Sequence, residues 1–358
     1  MADDRRALVV GVTGIAGNNV ARRLVEAGWQ VYGVSRGGGA PVAGVNPVRA
    51  DVMDAAGTSA ALADLRPTHL FFCSWQRQPT EAENVRVNGA MLKNVLEPLV
   101  AQGSLRHAAL VTGLKHYLGP FESYAKTPME TPFREEQPRL PGDNFYYTQE
   151  DLLFDAAERG GFTWSVHRPH TMIGWALGNL MNMGVTLAVY GALCRETGEP
   201  FVFPGSPQQY HGITDLTDAR LLARQLEWAA TSPAAANQAF NTVNGDVFRW
   251  RQMWPVVAAG LGVEPAEYPE HARPLEQRFA DAGPVWDRVV KKYDLRPHAL
   301  EHIASWWHTD GDLGREAETF ADMNKSRAHG FLESQDSRAS FLDLFEELRR
   351  ERIIPPLA

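Results

Sequence analysis

Ala7-Leu8-Val9-Val10-Gly11-Val12-Thr13-Gly14-Ile15-Ala16-Gly17 is the stretch that decides the fold. Its four leading apolar residues suit a strand covered on both faces, and Asn18 to Gly28 then carries apolar residues at helical spacing before a glycine stop. Strand, glycine turn and helix in that order open a dinucleotide-binding fold. The G-x-x-G-x-x-G spacing lets the backbone turn tightly, approach a pyrophosphate closely and aim helix amides at it. A second apolar strand, Trp29 to Val34, follows at the distance such a fold requires.

The residues after that second strand select the dinucleotide. An NAD site usually places Asp or Glu there, whereas this chain reads Ser35-Arg36 and has no acidic residue between Glu26 and Asp51. A carboxylate would repel a ribose 2′-phosphate, and a guanidinium pairs with it through two donors. Arg36 therefore argues for NADP, with Ser35 as a second donor.

Composition narrows the function class. A chain of 358 residues is long enough for a doubly wound domain with a smaller companion. A net charge of −8 argues against general nucleic-acid binding, and no apolar run reaches the length of a bilayer crossing. Cys73 and Cys194 are the only cysteines, too few for a disulfide framework, which fits a cytoplasmic protein. His302 and His308 are not one turn apart and no His-Glu-x-x-His occurs, so no metal site is expected. Gly33-Val34-Ser35-Arg36-Gly37 matches a nucleophile elbow in letters, but a glycine and proline loop follows where the elbow needs a helix.

Farther along, strands are expected at Val45 to Ala50, Thr68 to Trp75, His107 to Gly113, Thr163 to Pro169 and Ala239 to Val243, with helices between them. That alternation predicts an α/β, Rossmann-type doubly wound parallel sheet whose strand ends face one crevice. Asp51 stands where a carboxylate would meet the adenine amino group, or would cap the next helix. Thr80 and Glu83 mark the start of a long helix. Asn84 and Asn88 lie one turn apart on it and read more readily as a polar helix face than as supports of the site. Residues 1–170 are expected to form the NADP-binding domain, with 210–244 returning to it. Residues 171–209 and 245–358 would form a mainly helical substrate-binding cap. Met172, Trp175, Leu180, Met181 and Met183 supply either a pliable substrate wall or ordinary core packing.

A short-chain oxidoreductase usually carries tyrosine and lysine four residues apart on one helix. None of Lys93, Lys115, Lys126, Lys291, Lys292 and Lys325 has tyrosine at that spacing. Two other segments carry the residue types: Thr112-Gly113-Leu114-Lys115-His116-Tyr117 and Asn144-Phe145-Tyr146-Tyr147. With the glycine turn, Val31 to Arg36, Gly119-Pro120-Phe121-Glu122-Ser123-Tyr124, Thr163 to Pro169, and Phe240-Asn241 through Phe248, they cover nearly the whole chain. Over these motifs the sequence resembles the progesterone 5β-reductase and iridoid synthase-like (PRISE) family of atypical short-chain reductases.

The resemblance implies NADPH-dependent 1,4-reduction of an enone or enal, with hydride delivered to the β-carbon. It places the catalytic pair on Tyr146 and Lys115, with Tyr147 the nearest competitor. Cofactor contacts are expected from Gly11, Thr13, Gly14, Ile15, Gly17, Ser35, Arg36, Asp51, Val52, Ser74, Thr112, Gly113, Tyr146 and Pro169. The pocket would be walled by Trp75, Tyr147, His170, Met172 and Met181. After His167-Arg168-Pro169, plant members continue with Gly-Asn where this chain has His170-Thr171, so plant substrates are not carried over. The alternatives are an NADPH-dependent carbonyl reductase using the same pair and an NADP-holding sensor without turnover. Family habit also allows a homodimer through exposed helices.

Overall fold

The apolar run of the glycine stretch becomes the central strand β1, Arg6–Val10, of a seven-stranded parallel sheet. The computed structural model describes residues 4–39, 41–120, 130–269, 271 and 273–357. The Phe121 to Tyr124 part of one family motif lies outside the described residues.

Strand β1 pairs on one side with β2 (Gln30–Ser35), which pairs with β3 (Val45–Arg49). On its other side come β4 (His69–Phe72), β5 (His107–Val111) and β6 (Thr163–Pro169). Two short strands, β7 (Met172–Ile173) and β8 (Thr217–Asp218), pair apart from the main sheet, and β9 (Gln238–Thr242) completes it beside β6. The order 3-2-1-4-5-6-9 reverses direction of growth at β1, so a crevice opens between β1 and β4.

Alternation along β1 sorts its side chains to two faces. Ala7 and Val9 enter a cluster with Leu24 and Leu222, beneath helices α1 (Ile15–Glu26) and α8 (Ala219–Thr231). Leu8 and Val10 enter the opposite cluster with Leu92, Leu96 and Leu153. That face is covered by α2 (Ala55–Leu62), α3 (Glu81–Gln102) and α5 (Phe145–Gly160), while α4 (Lys115–Leu118) lies at the end of β5. A separate apolar core holds the remaining helices together. It joins α6 (Met183–Thr197) and α9 (Trp250–Leu261) to the helix Ser337–Arg350, around Tyr190, Trp254 and Trp286. The short α7 (Pro207–His211) packs on α9.

The fourth strand ends at Phe72, three residues before its expected limit. Polar ties from α3 hold the chain that follows. Asn88, fully buried, accepts from the Gln76 amide (2.7 Å) and donates to the Gln76 carbonyl (3.0 Å), and Asn84 accepts from the Gln78 amide (2.8 Å). These asparagines are therefore not a solvated helix face. They lash the loop after β4 to α3 and satisfy backbone groups that the sheet does not.

Two buried histidines meet at Ser165: His107 ties β5 to β6, and His167 ties β6 to α8. The Ser165 hydroxyl sits 2.9 Å from His107 Nε2 and 3.0 Å from His167 Nε2. The outer ring nitrogens meet Thr163 Oγ1 and Gln225 Oε1, each at 2.8 Å. Burial, aided by His69 and His167, pushes His107 down to about 3; burial pushes His167 down to about 4. In the unfolded chain both would titrate near the ordinary value of about 6.5. Protons therefore bind the unfolded state first as pH falls, so stability present above about 6.5 is lost progressively toward 4 and below. Urea melts at pH 7.5 and 5 are expected to show lower stability at pH 5, with a smaller drop in a His107→Gln/His167→Gln variant. An equal drop in both proteins would remove these histidines from the acid response.

Candidate active site

The turn that opens the site exists because two positions lack a side chain. Gly11 has φ +86°, a left-handed conformation that favours glycine, and a Cβ there would stand 3.0 Å from the Cys73 carbonyl oxygen. A Cβ on Gly17 would fall well inside contact distance of the Gly11 carbonyl oxygen. The helix can therefore start directly against the end of β1. Gly14 is the N-cap of α1, no side chain caps this terminus, and its first turn holds no acidic residue. Its amide groups and dipole thus offer a cradle for an anion.

Beside this cradle runs a cleft of about 490 Å³. It brings together Gly11, Thr13, Ser35, Arg36, Asp51, Val52 and Ser74 of the expected cofactor set, with Trp75. Gly14, Ile15 and Gly17, also expected there, are not among its lining residues. Arg36 is exposed at the end of β2, and the Ser35 hydroxyl is buried without a hydrogen-bond partner. The Asp51 carboxylate accepts from the Met53 amide at 3.0 Å, whereas Asp54 caps α2. Gln76, Gln78, Val87 and Met91 also line the cleft. They lie on the α3 side and belong to no glycine or strand-end pattern, which is why sequence reading passed over them.

Trp75 also lines a second cavity of about 120 Å³. There the structure gathers Thr112, Gly113, Lys115, Tyr146, Pro169, His170, Met172 and Met181. Lys115 arrives on α4 and Tyr146 on the first turn of α5, and Asn144 ties the two segments. Its side chain accepts from the Tyr146 amide (3.0 Å) and donates to the Lys115 carbonyl (2.9 Å). The Tyr146 phenol lies beside Gly113: a Cβ on that glycine would be 3.3 Å from Oη. Trp75 stacks on Phe145 at 5.5 Å, and Phe145 leans on Tyr146 at 4.2 Å. Lys115 is buried, with its ammonium 2.9 Å from the Glu81 carboxylate and 4.6 Å from the centre of the Phe145 ring. Burial and then the Glu81 charge raise the Tyr146 phenol well above its ordinary value, so it is a hydrogen-bond donor throughout the neutral range.

Tyr147 is placed differently from the expectation. Its hydroxyl donates to the His116 carbonyl (2.6 Å) and accepts from the Leu140 amide (2.9 Å), and it is not among the residues lining the cavity. It holds the segment before α5 in place. Of the methionine-rich stretch, Met172 and Met181 reach the cavity, while Met183 and Trp175 pack with the separate apolar core around α6 and α9.

Sequence reading missed the opposite wall, formed by Thr171, His308, Asp312 and Arg315. Arg315 pairs with Asp312 and donates to His170 Nε2 (2.6 Å). His170 must then carry its proton on Nδ1, which donates to Asp215 at 2.6 Å. Residues from three distant segments converge here, and no local pattern announces it.

A family described as the PRISE-like Rossmann-fold domain matches residues 51–355. The chain belongs to this family. PRISE-like relatives of nearly full length include the (S)-8-oxocitronellyl enol synthase of Camptotheca acuminata, 41% identical over 98% of this chain and 93% of that protein. The 3-oxo-Δ(4,5)-steroid 5β-reductase of Arabidopsis thaliana is 39% identical over the same shares. Among solved structures, UDP-glucose 4-epimerase of Thermus thermophilus in complex with NAD superposes with a TM-score of 0.68. It is 18% identical, with 96% of this chain and 99% of that chain covered, and shares the fold. This PRISE-like protein is an oxidoreductase, as the family resemblance implied.

The Gly17 contact makes a direct test. Gly17→Ala is expected to lower unfolding free energy by about 1–3 kcal/mol, because a methyl group must displace backbone rather than a flexible side chain. Gly39→Ala, with open space around it, is the control expected to leave the melt unchanged. Equal melts for both variants would mean that α1 does not start against β1.

Proposed function

We propose that this protein is an NADPH-dependent reductase of carbon–carbon double bonds conjugated to a carbonyl, acting on a small enone or enal. One observation carries the reading: Tyr146 and the buried Lys115, whose ammonium pairs with Glu81, line a cavity that shares Trp75 with the glycine-turn cleft. The cradle fits a dinucleotide: Gly11 and Gly17 let α1 start directly against the end of β1, and that start has no side-chain cap and no acidic residue in its first turn. NADPH, when bound, supplies hydride.

The chain's own residues do the rest. Arg36, with no carboxylate expected to oppose a 2′-phosphate at the end of β2, supports NADPH over NADH. Tyr146 donates a hydrogen bond to the substrate carbonyl oxygen. As charge gathers on that oxygen in the enolate-like transition state, the bond strengthens, so it lowers the barrier more than it favours substrate binding. Lys115 would hold the nicotinamide ribose, and its charge fixes the phenol's surroundings. Trp75, Met172 and Met181 exclude water, which increases the worth of each polar contact. The name of one relative, a 3-oxo-Δ(4,5)-steroid 5β-reductase, supports reduction of a double bond conjugated to a carbonyl.

Product analysis with NADPH and 2-cyclohexenone is expected to give the saturated ketone. Tyr146→Phe should slow it by about 10²- to 10³-fold, the usual cost of one oxyanion donor. An allylic alcohol would assign the same residues to carbonyl reduction, and NADPH binding without either product across enones, enals and ketones would favour a sensor. Arg36→Ala is expected to weaken NADPH binding about tenfold or more with little change for NADH, as for a lost charge-assisted contact. Equal effects on both cofactors would remove Arg36 from the 2′-phosphate site.

A further inference from the structure

We propose that Glu81 is a positioning residue of this site, fixing Lys115 and the start of α5 as one unit. The inference rests on the reading of Lys115 and Tyr146 given above. Glu81 is the first residue of α3, and only 11% of its side chain is exposed. One carboxylate oxygen, Oε2, accepts from Lys115 Nζ (2.9 Å) and Asn84 Nδ2 (3.1 Å). The other, Oε1, accepts from the Phe145 backbone amide at 2.8 Å, which is an otherwise orphaned donor of the first turn of α5.

Three elements distant in sequence thus meet on one carboxylate. The ammonium is 34 residues away and the Phe145 amide 64. Both oxygens are engaged, so the carboxylate cannot rotate without giving up a charge-assisted bond in a buried place. Glu81 carries Lys115 at the distance set by its own helix and holds Phe145, whose neighbour Tyr146 lies in the cavity. An amide in its place keeps the shape and removes the charge. Glu81→Gln would still accept through its oxygen but would present an NH₂ group to one of the present donors, either the ammonium or the Phe145 amide.

The test is a double-mutant cycle on two readouts, kcat for enone reduction and the dissociation constant for NADPH. Glu81→Gln is expected to lower kcat about 10- to 100-fold, the scale of a small misplacement of a reacting group, with a smaller change in KM. It should also weaken NADPH binding several-fold. In a Lys115→Met background the same substitution should have little further effect on either readout, because the oxygen of the introduced side chain can then keep the Phe145 amide while its NH₂ group no longer faces an ammonium. Glu81→Asp keeps the charge and is expected to recover part of the loss, and thermal melts check that each variant is folded.

Multiplicative losses in the cycle, or a Glu81→Gln variant matching wild type in both readouts, would overturn the proposal. If Glu81→Gln does not fold, Glu81→Asp is carried through the same cycle with the same criterion. A wild type that forms no saturated product would defeat the ene-reductase reading instead. The NADPH cycle would then still decide whether Glu81 acts on Lys115.

Discussion

Gly17 lies so close to the Gly11 carbonyl that there is no room for a side chain between the end of β1 and the start of α1. That contact sets the geometry of the nucleotide half. It aims the uncapped helix terminus across the sheet edge, beside the point where strand order changes between β1 and β4. Parallel strands joined by right-handed crossovers bring every other strand end to the same edge. Thr112 and Gly113 after β5 and Pro169 at the end of β6 therefore reach the cavity that adjoins the glycine-turn cleft.

The cavity that holds Lys115 and Tyr146 is assembled differently, from segments that no single helix carries. Lys115 and Tyr146 sit on separate helices, and polar side chains take over the spacing that a shared helix would provide. Asn144 spans from the Lys115 carbonyl to the Tyr146 amide, and Glu81 spans from the Lys115 ammonium to the Phe145 amide. A buried ion pair alone is weak evidence of stability, because desolvation offsets attraction. Here each carboxylate oxygen has donors, so the pair fixes geometry whatever its net energy.

How much of this was legible in sequence follows from the range of each interaction. The sheet was legible because apolar strands and glycine turns are local signals, and only strand ends moved, as at β4, after which Asn84 and Asn88 hold the loop at Gln76 and Gln78. Arg36 and Ser35 were legible as candidates because they stand at the end of β2, a local position. Lys115 and Tyr146 came from the family motifs, since their spacing is not that of a one-helix pair. Glu81 left no such mark: its partners are 34 and 64 residues away, and its place beside Thr80 and Glu83 reads as an ordinary acidic helix start. The wall of His308, Asp312 and Arg315 was equally silent, and Tyr147 was indistinguishable from Tyr146 until the direction of its hydroxyl toward His116 was known.

The central claim is that hydride reaches the β-carbon while the Tyr146 phenol bonds the carbonyl oxygen. The most direct measurement is to run 2-cyclohexenone with NADPH deuterated at the transferring position of the nicotinamide and locate the label in the product by NMR. Deuterium on the former β-carbon of a saturated ketone is the predicted result. Deuterium on the carbinol carbon of an allylic alcohol would contradict it.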